Sequence, residues 1–458
     1  LKLFDIHSTL FTFAFLLLPY LPIFHSMKKR FYIETYGCQM NEYDSEILAG
    51  ILQSHNYILC DSAEEADIIL LNTCSVRDNA ELKIHSRLGE LKHLKDKNPD
   101  LKLGVVGCMA QNLKKELIDT KPYVNLILGP DSYRDILKHL GAEEAHVIDT
   151  KLSKFEVYDG LFPARKEGVN AWISIMRGCN KFCSYCIVPY TRGRERSRSI
   201  ESIVDEAKRS VDEGFVEITL LGQNVNSFDH EGDKFPALLE ALTKVDGLKR
   251  LRYTSPHPQD VDEELMRIHA EYKPLIANHI HLPLQAGSDA VLKAMNRTYT
   301  QEHYLKLVDM IRKHVPDMGI TTDIIVGFPG ESDADFRETL KVMEYIKYDN
   351  AYTFKYSPRP YTKAWNMKDN VSELDKSARL TELIKMQKAH TLERLSQMIG
   401  KDVEILVETR SKKSSEEMRG RTACNKIVIF PKENYKPKDM ITRRITDAQG
   451  VTLFSREK

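Results

Sequence analysis

The chain has 458 residues, 42% hydrophobic and 29% charged, which suits two to four globular domains at roughly 100–200 residues each. Lys+Arg and Asp+Glu number 66 each, so a basic footprint over the whole surface is excluded and any nucleic-acid surface must be local. The cysteines at 38, 60, 74, 108, 179, 183, 186 and 424 are too dilute for a small disulfide scaffold and read as metal or catalytic ligands.

Leu10–Phe24 is almost wholly apolar but falls short of the ~20 residues that span a bilayer. Only Lys2 is basic ahead of it, and no small-residue cleavage site follows. Met27-Lys28-Lys29-Arg30 then opens a strand. The expectation is that Met27 is the start, that 1–26 is a non-native or unstructured extension, and that the protein is cytoplasmic, with no membrane partner.

Residues 28–145 alternate strands with amphipathic helices. RFYIETYGC, ADIILLNTC, KLGVVGC and NLILG are strand candidates. A helix with Ile47, Leu48, Ile51 and Leu52 on one face follows the first, and a polar helix near 78–96 follows the second. This alternation predicts an N-terminal parallel α/β domain.

Residues 165–395 repeat the pattern with six strand candidates: AWISIMRG, VEITLLG, LKRLRYTS, IANHIHLPL, GITTDIIVGFPG and NAYTFKYSP. Helices are predicted over 199–213, 235–245, 260–269, 301–314 and 333–346. Six βα units form a partial barrel or an open sheet, with the active site at the C-terminal strand ends. A long helix over 370–399 leads to 398–458, a small all-β module with candidates VEILVE, GRTACNKIVIF, DMITRRITDA and GVTLFSR. Residues 401–458 hold 14 basic and 9 acidic residues, a local excess of five positive charges.

Cys179, Cys183 and Cys186 form CxxxCxxC in the loop after AWISIMR. Three thiolates can hold an iron–sulfur cube and leave one iron open. A structural zinc site would offer four ligands, usually with CxxC pairs, and no fourth Cys or His stands at matching spacing. Cys38, Cys74 and Cys108 each end a predicted strand. In a parallel sheet those ends share the edge where ligands bind, so a second three-thiolate cluster is expected there. One buried Cys is usually a small hydrophobe; Cys60 and Cys424 are read that way.

The CxxxCxxC loop after the first of six strands resembles the radical S-adenosylmethionine (SAM) superfamily. With the second cysteine set and the C-terminal β module, nearly all of 28–458 resembles the methylthiotransferases. TYGCQMNEYDSE, NTCSVRDNA, GCNKFCSYCIVPYTRGRERSR, LLGQNVNSF, HLPLQAGSD, AMNRTYT, TDIIVGFPGE and TFKYSPRPYT look like the branch acting on tRNA.

The resemblance implies a radical SAM core over 165–395, a methylthiotransferase domain over 28–145 with an auxiliary cluster, and an OB-like TRAM barrel over 398–458. It implies two [4Fe-4S] clusters, with SAM as methyl donor and radical source. The implied reaction is methylthiolation of carbon 2 of N(6)-dimethylallyladenosine at position 37, in the anticodon stem-loop. An electron-donor protein, a sulfur or cluster supplier and a monomeric state are further expectations.

Tyr185, between the second and third Cys, matches the family's aromatic beside the SAM adenine. Gln223, Asn224 and Gln285 end predicted strands and are candidate SAM contacts; turn chemistry is the plainer reading. Phe328–Glu331 ends another strand in a turn. Arg192, Arg194, Arg196 and Arg198 beside the cluster loop suit phosphate recognition. Arg410, Lys412, Lys413, Arg419 and Arg421, with Arg443 and Arg444, are candidate RNA-backbone contacts in the β module.

The near alternative is the same chemistry on threonylcarbamoyladenosine in tRNA or on a ribosomal-protein aspartate. TYGCQMN and NTCSVRDNA argue against both. An RNA-binding zinc protein without catalysis and a membrane-bound redox protein are alternatives of other classes.

Overall fold

The computed structural model describes residues 28–75 and 78–456. The expected extension 1–26, its apolar run, the Met27 start, and Val76 and Arg77 of the NTCSVRDNA stretch lie outside the described residues.

Strand Ile68–Thr73 is buried at every position, as a central strand covered on both faces must be. Around it a six-stranded, all-parallel sheet runs in the order Ile58–Leu59, Arg30–Tyr36, Ile68–Thr73, Lys102–Gly107, Leu126–Leu128, Val147–Asp149. Alternate residues serve two cores, since successive side chains point to opposite faces. Ile68 and Leu70 pack with Tyr43, Ile47 and Leu48 of helix Gln39–Ser54. Ile69 and Leu71 pack with Leu88 and Leu91 of helix Asp78–Lys97. The last strand reaches Asp149, past the expected boundary at 145. The connecting chain then stays docked: Ser153 N donates to Asp131 Oδ2 at 2.8 Å and Ala164 N to Glu46 O at 2.8 Å.

The second region is an arc of six parallel strands taken in chain order. Asn170–Ser174, Glu217–Leu221 and Arg250–Tyr253 form one sheet, and His279–His281, Gly319–Val326 and Asn350–Lys355 the next. A parallel bridge between Leu251 and Ile276 joins the two. The result is the partial (β/α)6 barrel. Helices Ile200–Asp212, Phe235–Thr243, Gln301–His314 and Asp333–Ile346 match their predicted spans closely. The helix expected at 260 starts instead at Glu263, because Asp262 accepts from Leu265 N at 2.9 Å as its N-cap and Pro258–Asp260 turn as a separate 3-10 segment.

Helix Glu373–Ser396 packs along the last barrel strand and leads to the β module. The module's strand order is Met440–Arg444, Asp402–Arg410, Glu417–Thr422, Ile427–Pro431, Thr452–Phe454, Asp447–Gln449. Its two edge strands are consecutive in the chain, linked by Ile445 and Thr446, so one bent segment closes the sheet. Ile405, Val407, Met418, Val428, Phe430 and Leu453 fill the inside. DMITRRITDA is therefore two strands, and GRTACNKIVIF is split by a turn at 423–426.

That turn caps the N-terminal end of the barrel. Arg250 Nη1 donates to Arg421 O at 2.7 Å, and Arg252 donates to Thr422 O at 2.9 Å and Ala423 O at 3.1 Å. A Cβ on Gly319 would sit 2.8 Å from Cys424 O, so glycine permits the close fit. The module thus lies opposite the C-terminal strand ends.

Candidate cysteine centres

Register aligns Tyr36 with Thr73 and Thr73 with Gly107 across three neighbouring strands. Cys38, Cys74 and Cys108 come one or two residues later, so a strand spacing of about 4.8 Å gathers them on one edge. Cys38 is the N-cap of helix Gln39–Ser54, and Cys108 opens helix Cys108–Leu113. Gly107 has φ +95°, and a Cβ there would meet Thr73 O and Asn72 Oδ1 at 2.6 Å. Beneath the edge, Asn41 Nδ2 donates to Asn72 Oδ1 at 3.1 Å and Asn72 Nδ2 donates back to Asn41 O at 2.8 Å. These buried amides satisfy each other and tie the helix after Cys38 to the strand before Cys74.

Cys179, Cys183 and Cys186 occupy the loop between strand Met176–Arg177 and helix Val188–Thr191. Backbone bonds shape it: Cys179 N to Gly193 O at 3.1 Å, Ser184 N to Met295 O at 2.9 Å, Cys186 N to Cys183 O at 3.0 Å. Arg297 Nη1 donates to Cys183 Sγ at 3.3 Å, while its Nε reaches Tyr299 OH at 2.9 Å and its Nη2 reaches Pro283 O at 3.1 Å. Asn296 Nδ2 donates to Phe182 O at 2.9 Å. Asn296 and Arg297 lie in AMNRTYT, which carries the resemblance without giving either residue a role of its own; only the folded loop reveals the contact.

All eight cysteines are free thiols. Burial pushes Cys179 up to about 11 and Cys186 up to about 12, with the nearby Cys183 adding to the latter. Cys108 is likewise raised by burial, with Arg192 acting against it. Buried thiols of this kind become thiolates when a metal displaces the proton. Two gathered sets of three buried or half-buried thiols therefore fit two iron–sulfur cubes, each with one iron left open.

The candidate SAM contacts differ among themselves. Gln223 Oε1 is buried with no hydrogen-bond partner among the described residues. Asn224 is spoken for: its Nδ2 donates to Asp260 Oδ2 at 2.9 Å and its Oδ1 accepts from His257 N at 3.1 Å. Gln285 holds φ +70° and bridges to the neighbouring strand through its backbone, with its N donating to Asp323 O at 2.8 Å. The Tyr185 ring stands edge-on to Phe328 at 6.5 Å, in the turn after strand Gly319–Val326.

The arginine run requires a correction. Arg192, Arg196 and Arg198 are buried, not presented to RNA. Arg192 Nη2 donates to Asp44 Oδ2 at 2.6 Å, Arg196 Nη2 to Asp131 Oδ1 at 3.2 Å, and Arg198 Nη1 to Glu206 Oε2 at 2.5 Å. Buried guanidiniums need such carboxylates; the Arg192–Asp44 and Arg196–Asp131 pairs clamp the N-terminal domain to the barrel, whereas Glu206 belongs to the barrel itself, eight residues from Arg198. Tyr43 OH and Arg165 also reach Glu206. Arg194 alone of the four is exposed, stacked 4.3 Å over Phe182. In the β module Arg410, Lys412, Lys413 and Arg444 are exposed. Arg421 Nε donates to Glu408 at 2.8 Å, Arg419 lies 3.5 Å from the same carboxylate, and Arg443 donates to Glu433 at 2.6 Å. Cys60 Sγ donates to Phe31 O at 3.3 Å, and Cys424 sits in the turn capping the barrel; neither joins a cysteine set.

Two of the barrel's own arginines reach the auxiliary set. Arg192, just past the first loop, lies close enough to Cys108 for its charge to act there, and Arg359, after the last barrel strand, does the same at Cys74.

Residues 173–343 match the radical SAM superfamily and residues 30–129 an uncharacterized protein family, UPF0004. The tRNA-2-methylthio-N(6)-dimethylallyladenosine synthase of Porphyromonas gingivalis is 47% identical, covering 94% of this chain and 95% of that one. The proteins of the same name from Bacteroides fragilis and Carboxydothermus hydrogenoformans are 45% and 46% identical, covering 94% and 88% of this chain and 96% and 93% of theirs. Among solved structures, the radical SAM methyltransferase TsrM from Kitasatospora setae, with cobalamin and a [4Fe-4S] cluster bound, has a TM-score of 0.57 at 15% identity over 74% of each chain. The cobalamin-dependent SAM radical enzyme OxsB has 0.53 at 12% identity over 79% of this chain and 56% of its own; both likenesses concern the fold alone. Among the described residues no helix is long and apolar enough to cross a membrane. With its two cysteine sets on the edges of two parallel sheets, the chain belongs to the tRNA-2-methylthio-N(6)-dimethylallyladenosine synthase family of the radical SAM superfamily.

Proposed function

We propose that the protein methylthiolates carbon 2 of N(6)-dimethylallyladenosine at position 37 of tRNA, with SAM as methyl donor and radical source. The observation that carries this reading is the pair of three-cysteine sets at the C-terminal strand ends of two adjoining sheets. Carbon 2 bears an unactivated aromatic hydrogen, so the bound clusters and SAM supply the one-electron and sulfur chemistry that no side-chain acid or base provides.

The chain's own residues hold and orient. Cys179, Cys183 and Cys186 take the cluster that binds SAM, with Arg297 steadying Cys183. Gln223, Gln285 and Tyr185 line the SAM side, and Asn224 positions the loop through Asp260 and His257. Cys38, Cys74 and Cys108 take the auxiliary cluster. Three domains are assigned: 28–149 for the auxiliary cluster, 165–395 for the radical core, and 398–458 as a TRAM-type RNA-binding module. Arg410, Lys412, Lys413 and Arg444 track the RNA backbone there, and Arg194 does so beside the cluster loop. The target base leaves its stack to reach the site. An electron-donor protein and a sulfur or cluster supplier are the partners this chemistry needs, and the cytoplasm is the compartment that fits it.

Nucleoside mass spectrometry of bulk tRNA from cells with and without the chain tests the reading. Loss of the methylthio nucleoside with accumulation of the prenyladenosine is expected. An unchanged prenyladenosine pool would overturn the substrate and direct the search to threonylcarbamoyladenosine and ribosomal aspartate.

A further inference from the structure

Among the described residues, a buried guanidinium at the domain junction has one arm without a nitrogen or oxygen acceptor. Arg192 is 3% exposed. Its Nη2 donates to Asp44 Oδ2 at 2.6 Å, and the other Asp44 oxygen accepts from Tyr158 OH at 2.9 Å. Asp44 is thereby fixed from both sides. Among the described residues Arg192 Nη1 is buried without a nitrogen or oxygen acceptor. Burying a charged donor unpaired is unfavourable, so this arm calls for a further acceptor where it meets the Cys108 thiol.

The neighbourhood says what kind. Helix Cys108–Leu113 packs against the short helix Val188–Thr191 that ends at Arg192. The guanidinium acts on the Cys108 thiol through both its charge and a hydrogen bond. Arg177 is fully buried beside it, over the Tyr158 ring at 3.9 Å and 2.9 Å from Asp131, which Arg196 shares at 3.2 Å. The three guanidiniums pair directly with two carboxylates, Asp44 and Asp131, and the neighbouring Glu156 is engaged by Arg134 at 3.0 Å, so the ion pairs leave one guanidinium in excess at the junction. An anion with sulfur acceptors at the Cys108 corner completes both balances. A cube carried by three thiolates is such an anion.

We propose that Arg192 is a positioning residue for the auxiliary cluster, donating from Nη1 to a sulfur at its Cys108 corner while Asp44 holds the guanidinium in place. The proposal rests on the two-cluster reading above. Hydrogen bonds to the sulfurs of an iron–sulfur cluster, together with charge and exposure, set its reduction potential. A donor pre-oriented by a carboxylate stabilises the more negative, reduced state. Because Arg192 belongs to the barrel and Cys108 to the N-terminal domain, the auxiliary potential depends on how the two domains dock.

The test uses the full chain carrying Cys179→Ala, Cys183→Ala and Cys186→Ala, so that one cluster reports. Redox titration followed by electron paramagnetic resonance then compares it with the same chain carrying Arg192→Lys, which keeps the charge but loses the second arm. The expected result is an unchanged iron content and a more negative midpoint. An unchanged midpoint at unchanged iron overturns the proposal. Resonance Raman spectra of the background chain in H2O and D2O give a second readout that needs no Arg192 variant to fold. An isotope shift of the iron–thiolate stretches is expected, and its absence overturns the proposal. A background chain that binds no iron refutes the auxiliary-cluster reading itself, which is a different outcome.

Discussion

Arg297 donates to Cys183 Sγ across 3.3 Å although 114 residues separate them in the chain. The same guanidinium reaches Tyr299 OH and Pro283 O, so it joins the cluster loop to the end of the fourth barrel strand. Partners of this kind orient metal ligands, and their loss typically costs about 10- to 100-fold in metal affinity or activity. Arg297→Gln is expected to lower SAM cleavage by that order. The cluster on Cys38, Cys74 and Cys108 is expected to remain. Iron quantification and 5′-deoxyadenosine release measure the two effects separately.

The two cysteine sets lie in different domains, and their losses are expected to be separable. Cys74→Ala should leave roughly half the iron, keep SAM cleavage, and abolish methylthiolation. Cys179→Ala should abolish both activities while keeping the other half of the iron. A Cys74→Ala chain that still transfers the methylthio group would refute the assignment of the auxiliary set.

Gly178 precedes the first loop cysteine at φ +77°, and a Cβ there would lie 2.0 Å from Arg194 O. Backbone cannot yield as a flexible side chain can, and a non-glycine residue in this region carries strain of roughly 1–3 kcal/mol. Gly178→Ala is expected to displace Cys179 and lose the cluster that binds SAM, with the fold retained. Circular dichroism together with iron content distinguishes this from general unfolding.

His269 gives a pH signature. It is 1% exposed, its Nε2 lies 2.7 Å from Tyr253 OH, and burial lowers its pKa to about 4. An exposed histidine in the unfolded chain titrates near 6.5. Between these values the unfolded state binds the extra proton. Its contribution is therefore complete above about pH 6.5 and is lost as pH falls towards 4, by about 3 kcal/mol in total. His269→Gln removes the titration, so its urea midpoint should fall less than the parent's between pH 7.5 and 5. Parallel curves would refute this.

Arg410, Lys412 and Lys413 are exposed on the β module. Each contact to a phosphate adds about one unit to the salt dependence of RNA binding. Replacing any one by Ala should flatten the logarithmic salt slope of tRNA affinity by about 1. Arg421, held by Glu408 and Asn425 Oδ1 at 2.8 and 3.1 Å, should change it less. Equal slopes for all the variants would place the RNA surface elsewhere.

Much of this architecture is written locally. Runs such as IILLNT and KLGVVG bury both faces and can only be central parallel strands. Strands so ordered must end on one edge, which is why the sequence alone groups Cys38, Cys74 and Cys108. The spacing of Cys179, Cys183 and Cys186 is likewise a local property. The arginines show the other side. In TRGRERSR four identical side chains alternate along about 20 Å of extended chain, and nothing local separates them. Asp44, Asp131 and Glu206 turn three of them inward; Glu206 stands on the next helix, but Asp44 and Asp131 arrive from distant parts of the chain. Arg297 and Arg359 are of the same kind, as is the turn at 423–426 that caps the barrel. Periodicity and turn residues act between near neighbours, so a reader of the sequence recovers them. Which carboxylate meets which guanidinium depends on the docking of whole domains, and that emerges only when the chain has folded.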